Sequence, residues 1–426
     1  MPVFIKTFGC KVNYADSVEL AGKLIRAGVE CALLERAKLP EPDRRSHATF
    51  IVNACAVTAE AVAKARRFCR RLLRLHPDAR VLVTGCGARA EEIAAEFLAL
   101  GVPVRQRMDE VVALLAGEDD SGKGRGEAKT KVPVLSGRAR YFLKVQDGCN
   151  GVCSYCIIPR VRHRESKSWC DIRLELESVL ASGVPEVVVT GINLGLYSDG
   201  DTGWGLAELL QNMLRLVPES SRLRLSSVEP EHIDERLLAL FEHPRMCPHL
   251  HLPLQSGSDA VLRSMRRKYT AQQYLDIVRE FRRRYPRGAV SSDLMVGYPT
   301  ESRDDFEQTL AIVRACGFER VHIFRFSRRP GTAAVNLEPL PAEEVKEREH
   351  RLFTLADAVS AHALARYLGG SCDVAVEARS EPALKGYGEA YQRVSLRIPP
   401  DLSGPRLLPV QLKALKDGVF LGSPRR

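Results

Sequence analysis

Between residues 141 and 326 the sequence alternates regularly between short apolar strand patterns and amphipathic helix patterns. Neighbouring strands joined by a helical crossover run parallel, so this alternation predicts a parallel sheet covered by helices. Six such units suit an incomplete barrel, whose functional residues are expected at the carboxyl ends of the strands. The six predicted strands are residues 141–146, 186–190, 222–226, 250–254, 289–295 and 320–326.

A second, smaller run of the same alternation precedes this region. Strand patterns at 3–8, 50–53 and 81–84 alternate with helix patterns at 17–27, 59–75 and 90–100. These residues predict an α/β domain with an open parallel sheet. Residues 118–131 follow, rich in Gly and mixed in charge, and their composition is typical of a linker.

The pattern changes a third time after a predicted long helix at residues 343–368. Short alternating runs at 372–377, 393–398, 408–412 and 419–421 predict a small all-β barrel of the kind that often binds RNA. We therefore expect an N-terminal domain at 1–117, a linker at 118–138, a barrel domain at 139–368 and a β module at 369–426.

Composition excludes several classes of protein. The 426 residues are 45% hydrophobic and 27% charged, which is ordinary for a globular chain and argues against a largely disordered one. No apolar run is long enough to span a membrane, and the N-terminus lacks the features of a signal peptide. We expect a cytoplasmic protein without a membrane segment. The formal net charge of +10 fits a nucleic-acid partner.

Three of the twelve cysteines, at positions 149, 153 and 156, lie within eight residues directly after the first barrel strand. A structural zinc site needs four ligands, and only Cys170 and His163 could complete this one. Three thiolates on a 4Fe-4S cluster would instead leave one iron open to a substrate or cofactor. An incomplete zinc site or unligated thiols are the alternatives.

Cys10, Cys55 and Cys86 share a different feature. Each lies at or just past the carboxyl end of a predicted strand in the N-terminal domain. Ligands of open α/β sheets bind outside those ends, so the three thiols could hold a second cluster. Spacing alone leaves this cluster and ordinary buried thiols equally open. Cys31 and Cys69 lack such placement and are expected to be ordinary buried thiols.

The spacing C-x3-C-x2-C, with Tyr155 before the last cysteine, resembles that of radical S-adenosylmethionine (SAM) enzymes. In that superfamily the amino and carboxylate groups of SAM bind the open iron, and one electron from the cluster cleaves SAM to methionine and a 5′-deoxyadenosyl radical. The resemblance implies that the protein holds the cofactor, aims the radical and excludes water.

The neighbourhoods of all six cysteines, and further motifs along the chain, resemble the methylthiotransferase family. The resemblance covers essentially the whole chain in the same order, and the C-terminal β module, with its motif at 386–391, is similar to the TRAM domain of that family. The motifs are residues 7–17, 53–58, 84–86, 191–195, 226–230, 251–259, 265–270, 293–299 and 326–332.

The resemblance implies an enzyme that replaces a C–H hydrogen by a methylthio group, with two 4Fe-4S clusters and two molecules of SAM. The cluster on Cys149, Cys153 and Cys156 would generate the radical. The second cluster, on Cys10, Cys55 and Cys86, would carry the sulfur or methylthio unit. A tRNA anticodon loop would be the partner, and a flavodoxin or ferredoxin system the electron donor; the oligomeric state is not implied.

Three branches of the family differ in substrate. One modifies isopentenyladenosine in tRNA, one modifies N6-threonylcarbamoyladenosine in tRNA, and one modifies an aspartate of a ribosomal protein. The runs at 157–164, 265–270 and 345–352 most resemble the threonylcarbamoyladenosine branch. We therefore expect conversion of N6-threonylcarbamoyladenosine to its 2-methylthio form. A non-catalytic iron–sulfur RNA-binding protein is the alternative of another class.

Residues after the predicted barrel strands are candidates for binding SAM. Gly191, Asn193, Glu229 and Gln255 follow strands two, three and four, where glycine permits close backbone approach and polar side chains can meet the cofactor. Tyr155, inside the cysteine motif, joins this set through the resemblance. The alternative for Gly191 and Asn193 is ordinary turn chemistry.

Basic and aromatic residues are candidates for binding RNA. A basic run after the cysteine motif could contact phosphates near the reacting base, although such a loop is as well explained by solvation. In the β module, tyrosines and an arginine offer stacking faces and a charge, with burial in the barrel core as the alternative. The candidates are Arg160, Arg162, Arg164, Lys167, Tyr387, Tyr391 and Arg393.

Overall fold

A computed structural model describes residues 2–34, 48–117, 138–376, 384–396 and 404–425. Most of the predicted linker, at 118–137, lies outside the described residues. The same holds for residues 377, 397 and 398 at the ends of two predicted strands.

The N-terminal unit is an open parallel sheet, as predicted. Its strand order is β2-β1-β3-β4, and all three pairings are parallel. The register aligns Thr7 with Asn53 and Asn53 with Thr84, so the carboxyl ends of three strands meet at one edge. The elements are β1 (Val3–Thr7), α1 (Lys11–Arg26), β2 (Cys31–Leu33), β3 (Thr49–Asn53), α2 (Ala59–Leu75), β4 (Arg80–Thr84), α3 (Cys86–Arg89), α4 (Glu91–Leu98) and α5 (Met108–Ala116).

The central unit confirms the predicted incomplete barrel of six parallel strands. Its elements are β5 (Arg140–Asp147), α6 (Ile158–Val161), β6 (Glu165–Ser166), α7 (Trp169–Ala181), β7 (Glu186–Gly191), α8 (Leu206–Leu216), β8 (Arg222–Leu225), α9 (Glu235–Ala239), β9 (His249–His251), α10 (Asp259–Ser264), α11 (Ala271–Arg284), β10 (Ala289–Val296), α12 (Arg303–Cys316) and β11 (Arg320–Arg325).

The barrel strands form two curved sheets, β6-β5-β7-β8 and β9-β10-β11. Single parallel bridges from Leu223 to Met246 and from Ser227 to His251 join them. The two-residue strand β6 pairs antiparallel with the end of β5. In the part of the chain that is described, β11 and β5 form no ladder, so the barrel stays open on one side.

The two faces of the barrel sheet have different chemistry. Val290 and Leu294 on β10 are fully buried in a core that includes Phe306 of α12. Because alternate residues of a strand point to opposite faces, Ser291 and Asp293 face the inside of the barrel. We call this inner space the lumen. The side chains of Ser291 and Asp293 make it polar, whereas the opposite face of β10 is largely apolar.

The C-terminal unit is a closed barrel of five strands, which confirms the predicted all-β module. It follows the long helix α13 (Ala342–Ala365) and has the strand order β12-β13-β14-β16-β15. Its core contains Val374, Val394, Val410 and Phe420, each at most 1% exposed. The strands are β12 (Ser371–Val376), β13 (Leu384–Tyr387), β14 (Arg393–Leu396), β15 (Arg406–Lys416) and β16 (Val419–Pro424).

A buried ion cluster attaches the C-terminal unit to the amino ends of barrel strands. The carboxylate of Glu186 accepts hydrogen bonds at 2.8 Å from Nε of both Arg222 and Arg224. The two guanidinium groups donate in turn to backbone carbonyls of Tyr387 and Gly388, each at 2.8 Å. Side chains of the β module therefore lie directly under the lumen.

None of the helices in the described residues is long and apolar enough to cross a lipid bilayer.

Candidate active site

The three clustered cysteines lie on the loop between β5 and α6, at the carboxyl end of the first barrel strand. The loop begins at Gly148, whose φ of +64° and close approach to the His163 carbonyl leave no room for a side chain. Gln146 fixes the same turn by donating to the carbonyl oxygens of Asp147 and Gly148, both at 2.7 Å. The barrel thus holds the loop in one backbone path.

Ser154, between the second and third cysteines, anchors the loop to two other parts of the barrel. Its amide donates to the Met265 carbonyl at 3.1 Å, and its carbonyl accepts from the Ala334 amide at 2.7 Å. Its hydroxyl lies 2.8 Å from the Tyr298 hydroxyl. The side chain of Tyr155 packs edge-on against Tyr298, so the predicted cofactor residue is half-buried beside the loop.

The six predicted cluster ligands form two groups of thiols that suit a cluster better than a single ion. Zinc with bonds of about 2.3 Å to sulfur holds its thiolates about 3.8 Å apart. Among the described residues, no three cysteine thiols lie within 4.8 Å of one another. Within each group, however, the thiols interact electrostatically. Three thiol donors at wider spacing fit a 4Fe-4S cluster with one open iron.

Arg267 stands beside the barrel cysteines and was not among the predicted site residues. Its guanidinium lies 3.5 Å from the Cys153 sulfur and forms an ion pair with Glu229. Burial raises the pKa of the Cys153 thiol, and the Arg267 cation opposes that rise. Burial also raises the pKa of Cys156 to about 12. A thiolate in this loop therefore needs a cation or a metal beside it.

A small cavity of about 60 Å³ opens between the cysteine loop and the ends of the next strands. It brings two predicted cofactor residues, Asn193 and Glu229, to Cys149 and Cys153. Asn193 is held by its backbone amide, which donates to Gln146 Oε1 at 2.8 Å. These contacts place a polar cradle directly over the loop.

Two buried amide oxygens that follow barrel strands β7 and β9 have no hydrogen-bond partner among the described residues: Asn193 Oδ1, on the cavity wall, and Gln255 Oε1. Gln255 has a φ of +68°, which is uncommon for a residue with a side chain. Gly191 ends β7, and a Cβ there would meet the Gln146 carbonyl at 2.9 Å. The two unsatisfied buried acceptors fit a bound polar cofactor such as SAM, whereas the close approach at Gly191 is to Gln146 of the neighbouring strand.

The other three cysteines meet at the carboxyl edge of the N-terminal sheet. Cys10 immediately precedes α1 and is exposed, whereas Cys55 and Cys86 are buried. A Cβ at Gly9, where φ is +115°, would lie 2.7 Å from Cys55 Cβ. Glycine therefore lets the chain of Cys10 pass directly over Cys55, which brings separate loops together.

A network of hydrogen bonds among Asn13, Ser17 and Asn53 fixes these loops to α1 and β3. Asn53 donates to the Asn13 carbonyl at 2.7 Å and to the Ser17 hydroxyl at 2.9 Å. The Asn13 side chain donates to the Phe8 carbonyl at 3.1 Å, and its Oδ1 lies 3.2 Å from the Cys86 sulfur. Polar side chains on α1 and β3 thus fix the relative positions of two cysteine loops.

Arg162 joins this second group of cysteines to the barrel, and its position revises a prediction. Nε lies 2.8 Å from the Cys86 sulfur, and the guanidinium also donates to Asn13, Asp16 and Asp147. With 2% exposure the side chain has no donor left for an RNA phosphate. We therefore remove Arg162 from the predicted RNA-binding residues: it is an interdomain ion-pair residue.

Three other basic residues predicted to bind RNA lie near the surface. Arg160 is exposed and donates to the Gly331 carbonyl at 3.2 Å. Arg164 is exposed and donates to the Leu196 carbonyl at 3.2 Å. Lys167 is half-buried and pairs with Glu175 at 2.5 Å. RNA contact by these three residues stays a prediction.

The predicted aromatic residues of the β module lie at the floor of the lumen. Tyr387 and Tyr391 are half-buried, with ring centroids 4.9 Å apart, while Arg393 is exposed. The ring of Tyr391 stacks on that of His249 from β9 at 4.6 Å. The structure therefore gives both tyrosines partners within the chain, and RNA contact by them and by Arg393 stays a prediction.

Lumen residues on three neighbouring strands add a polar cluster that sequence reasoning missed. Nε2 of His251 lies 3.3 Å from Oδ1 of Asp293, and the ring of His322 packs edge-on against that of His251 at 5.7 Å. Nδ1 of His251 lies 2.7 Å from the Ser291 hydroxyl. Strand parity could have placed Asp293 and His322 inside the barrel.

Comparison with family models agrees with this architecture. Residues 143–313 match the model of the Radical SAM superfamily, and residues 2–101 match that of the uncharacterized protein family UPF0004. The parallel barrel, the cysteine loop at its carboxyl edge and this match define the chain as a radical SAM enzyme.

Curated relatives extend the match over nearly the whole chain. A threonylcarbamoyladenosine tRNA methylthiotransferase from Thermotoga maritima is 36% identical over 401 residues, which cover 91% of this chain and 90% of the relative. One from Bacillus subtilis is 31% identical and covers 98% and 94%. A tRNA-2-methylthio-N(6)-dimethylallyladenosine synthase from Chloroflexus aurantiacus is 32% identical and covers 99% and 91%.

The chain belongs to the methylthiotransferase family of radical SAM enzymes, a family that uses SAM and 4Fe-4S clusters. Among solved structures, the radical SAM methyltransferase TsrM from Kitasatospora setae aligns with a TM-score of 0.51 at 16% identity. The alignment covers 78% of this chain and 77% of that one. At this identity the likeness concerns the fold alone.

Proposed function

We propose that this enzyme transfers a methylthio group to C2 of N6-threonylcarbamoyladenosine next to the anticodon of tRNA. The observation that carries the proposal is the pair of three-cysteine sites, each at the carboxyl edge of a parallel sheet. Lys11, which follows Cys10, has its Nζ 5.9 Å from the centroid of the Tyr391 ring at the floor of the lumen. Both sites therefore open on one space, where a base can meet a radical source and a sulfur carrier.

The relatives support the choice of substrate. Three curated proteins named for threonylcarbamoyladenosine are 36%, 35% and 31% identical to this chain, and each aligns over more than nine-tenths of it. Relatives named for dimethylallyladenosine are 29–34% identical to this chain, and the one at 34% aligns over 84% of it. Because these ranges overlap, we treat isopentenyladenosine as the second candidate.

The residues have separate roles in this proposal. Cys149, Cys153 and Cys156 would hold a cluster that, with SAM, supplies a 5′-deoxyadenosyl radical for hydrogen abstraction. Cys10, Cys55 and Cys86 would hold a second cluster that carries the methylthio unit. Asn193 and Gln255 offer unpaired amide oxygens to the SAM amino and ribose groups.

Arg267 and Glu229 would position the barrel cluster and the cofactor. The guanidinium lies between the Cys153 sulfur and the Glu229 carboxylate, and it stabilises the thiolate that a cluster requires. Glu229 is half-buried on the wall of the same cavity. Removal of Arg267 would leave a shielded carboxylate beside the cofactor.

The substrate base has to leave its stack to reach the lumen, because C2 lies on the ring edge inside a stacked anticodon loop. The polar lumen side chains then surround the base while the open side of the barrel admits the RNA. Arg160, Arg164 and Lys167 follow the cysteine loop in the sequence and would contact phosphates there. A flavodoxin or ferredoxin system would supply the electrons.

We assign these roles to three domains, at residues 1–117, 139–368 and 369–426, joined by the linker at 118–138. The first would carry the second cluster, the second would carry the radical chemistry, and the third would contribute to RNA binding. Arg393 on β14 is exposed and would be the basic residue of the third domain that contacts the RNA substrate.

Mass spectrometry of nucleosides tests the proposal. The gene is expressed in a host that lacks its own enzyme, and bulk tRNA is digested and compared with and without expression. We expect N6-threonylcarbamoyladenosine to shift to its 2-methylthio form. The shift should disappear with Cys153→Ala and with Cys55→Ala, and it should persist with the control Cys170→Ala, an exposed thiol outside both groups.

The other outcomes are distinct. A shift confined to isopentenyladenosine, or to an aspartate of a ribosomal protein, would retain the chemistry and overturn the substrate. No methylthio product from a protein that holds both clusters would overturn the catalytic function in favour of a non-catalytic RNA-binding protein.

A further inference from the structure

The ring of Tyr391 lies where the three parts of the chain meet, at the floor of the lumen. Nζ of Lys11, from the N-terminal unit, is 5.9 Å from the centroid of this ring, and Cζ of Arg224, from the barrel, is 4.9 Å away. Cζ of Arg140 lies 4.0 Å from the centroid of the neighbouring Tyr387. We call this surrounding the cationic chamber; its charged members are Lys11, Arg140, Arg224, Arg320 and Arg393.

The chamber opens into a cavity of about 690 Å³. Its walls include Arg320 and Arg393, together with His249 and Ser291 from the inner face of the barrel. A volume of this size is typical of sites that hold a small molecule or a nucleoside fragment.

The cations of the chamber outnumber its carboxylates. Arg224 is neutralised by Glu186, with Nε to Oε1 at 2.8 Å. Within the described residues, no carboxylate oxygen lies within 4.0 Å of the charged nitrogens of Lys11, Arg140 or Arg320.

The acidic residues near the chamber do not neutralise its excess positive charge. Asp293 faces the lumen and is engaged by His251. Glu319, on the cavity wall, is already paired with Arg282 at 3.2 Å and with Arg366 at 2.6 Å. Asp357 is exposed. Because partly buried cations without a carboxylate partner are costly, the chamber is suited to an anionic group that arrives from outside the chain.

The cationic chamber is adjacent in sequence to the proposed sulfur-carrying site. Cys10 precedes α1, and Lys11 is the first residue of that helix. In adenine, C2 and C6 are both bonded to ring nitrogen N1, so a substituent on N6 lies beside the C2 edge. A base that presents C2 to a cluster on Cys10 would carry its N6 substituent toward Lys11.

We propose that the cationic chamber binds the carboxylate of the amino-acid substituent on N6 of the target adenosine, with Lys11 and Arg320 as the principal charges. This inference rests on the proposed function and deepens it, because it names what selects the substrate. An N6-dimethylallyl group would place hydrocarbon beside Lys11 and Arg320, which no carboxylate among the described residues neutralises. Backbone phosphates stay outside the lumen when a base is splayed into it, so the N6 substituent is the anion that travels with the base.

Binding measurements with three anticodon stem-loop RNAs test the inference. One RNA carries N6-threonylcarbamoyladenosine, the second carries its neutral carboxylate methyl ester, and the third carries unmodified adenosine. Dissociation constants are measured with the enzyme holding both clusters and without SAM, so that no turnover occurs. The wild-type enzyme should bind the acid about tenfold or more tightly than the ester, as expected for one charge-assisted contact.

Two variants test the residues. Lys11→Gln and Arg320→Gln should each reduce the ratio of acid to ester affinity toward one, with little change in the affinity for the ester. Arg320 lies on β11, away from all six cysteines, so its variant tests the inference even if Lys11→Gln disturbs the adjacent Cys10. Lys23→Gln is the matched control on α1, where Lys23 pairs with Asp109 at 2.9 Å, and it should keep the wild-type ratio.

Each contrary result overturns the inference in a recognisable way. Equal affinity of the wild-type enzyme for acid and ester would place recognition elsewhere. An equal loss of affinity for both RNAs in the variants would assign the two cations to phosphates. If the acid RNA is still converted to its 2-methylthio product in either case, the proposed function stands and only the inference fails. No product from that RNA means that the proposed function itself has failed.

Discussion

Arg162→Met removes the guanidinium that ties the N-terminal unit to the barrel. The side chain is buried against Asp16 from α1 and against both carboxylate oxygens of Asp147, each at 2.7 Å. Removing one partner of a buried ion pair costs about 3–5 kcal/mol. Lys144 still contacts Asp16 at 2.5 Å, so we place the loss at the lower limit, about 3 kcal/mol.

Thermal and urea unfolding measure this loss. At about 2–4 °C for each kcal/mol, the unfolding midpoint should fall by roughly 6–12 °C. Iron bound by the N-terminal cysteines should fall as well, because Nε of Arg162 lies 2.8 Å from the Cys86 sulfur. Arg164→Met is the matched control: this exposed residue makes one backbone contact, and its loss should change stability by less than about 0.5 kcal/mol. A cost below about 1 kcal/mol for Arg162→Met would refute the role given to the ion cluster.

Three further predictions concern stability and cluster binding. Gly148→Ala should lower iron bound at the barrel cysteines severalfold, measured by iron content, because the new Cβ meets the His163 carbonyl at a φ of +64°. Glu186→Gln should cost about 3 kcal/mol in unfolding and hasten proteolysis of the β module, since two buried arginines lose their partner. Burial raises the pKa of Asp16, but Lys144 and Arg162 outweigh it and hold this pKa below its usual value. The ionised Asp16 therefore stabilises the folded protein fully above about pH 3.9, and this stabilisation is lost on acidification.

Controls separate these effects. Gly200→Ala, at a glycine with open space around it, should leave bound iron unchanged. Arg236→Gln, which breaks an exposed ion pair with Glu208, should leave proteolysis of the β module unchanged. In acid unfolding, Arg162→Met should show a smaller loss of stability below pH 4 than the wild type. An equal loss in both would contradict the assignment of that pH dependence to Asp16.

The order and type of the larger elements could be predicted from local patterns. The helix predicted at 59–75 matches α2, where Thr58 caps the first turn and Leu72 and Phe68 recur on the buried face. The six predicted barrel strands match the observed ones to within a few residues, because each apolar run is bounded by residues typical of turns. The type and order of these elements can be predicted from local sequence, because helices and strands differ in the spacing of their apolar residues.

Elements stabilised by distant polar contacts were not predicted correctly. The first helix was expected at 17–27, but α1 begins at Lys11. Its early turns contain Asn13 and Asp16, whose polarity is typical of a loop, and both are buried by contacts to Asn53 and Arg162. The strand β2 was missed because three residues carry no usable period.

The candidate site also combines residues that local sequence indicates with residues whose partners are distant in the sequence. Cysteine spacing predicted the group of thiols on the barrel loop. For Cys10, Cys55 and Cys86, placement after strand ends left a cluster and ordinary buried thiols equally open, and the resemblance to methylthiotransferases implied the cluster. Arg162 was expected on an RNA-binding surface because a basic run is usually solvated. Its partners Asp16 and Asp147 are separated from it by 146 and 15 residues, and no local signal pairs the first with it. Arg267 was missed for the same reason.

The most direct test of the proposed reaction follows the hydrogen at C2. An anticodon stem-loop carrying N6-threonylcarbamoyladenosine with deuterium at C2 is incubated anaerobically with the enzyme holding both clusters, SAM and a reductant. We predict a 2-methylthio product without deuterium and one deuterium in the 5′-deoxyadenosine formed with it. Cys153→Ala should abolish both. Retention of deuterium at C2, or 5′-deoxyadenosine without deuterium alongside the product, would contradict the account.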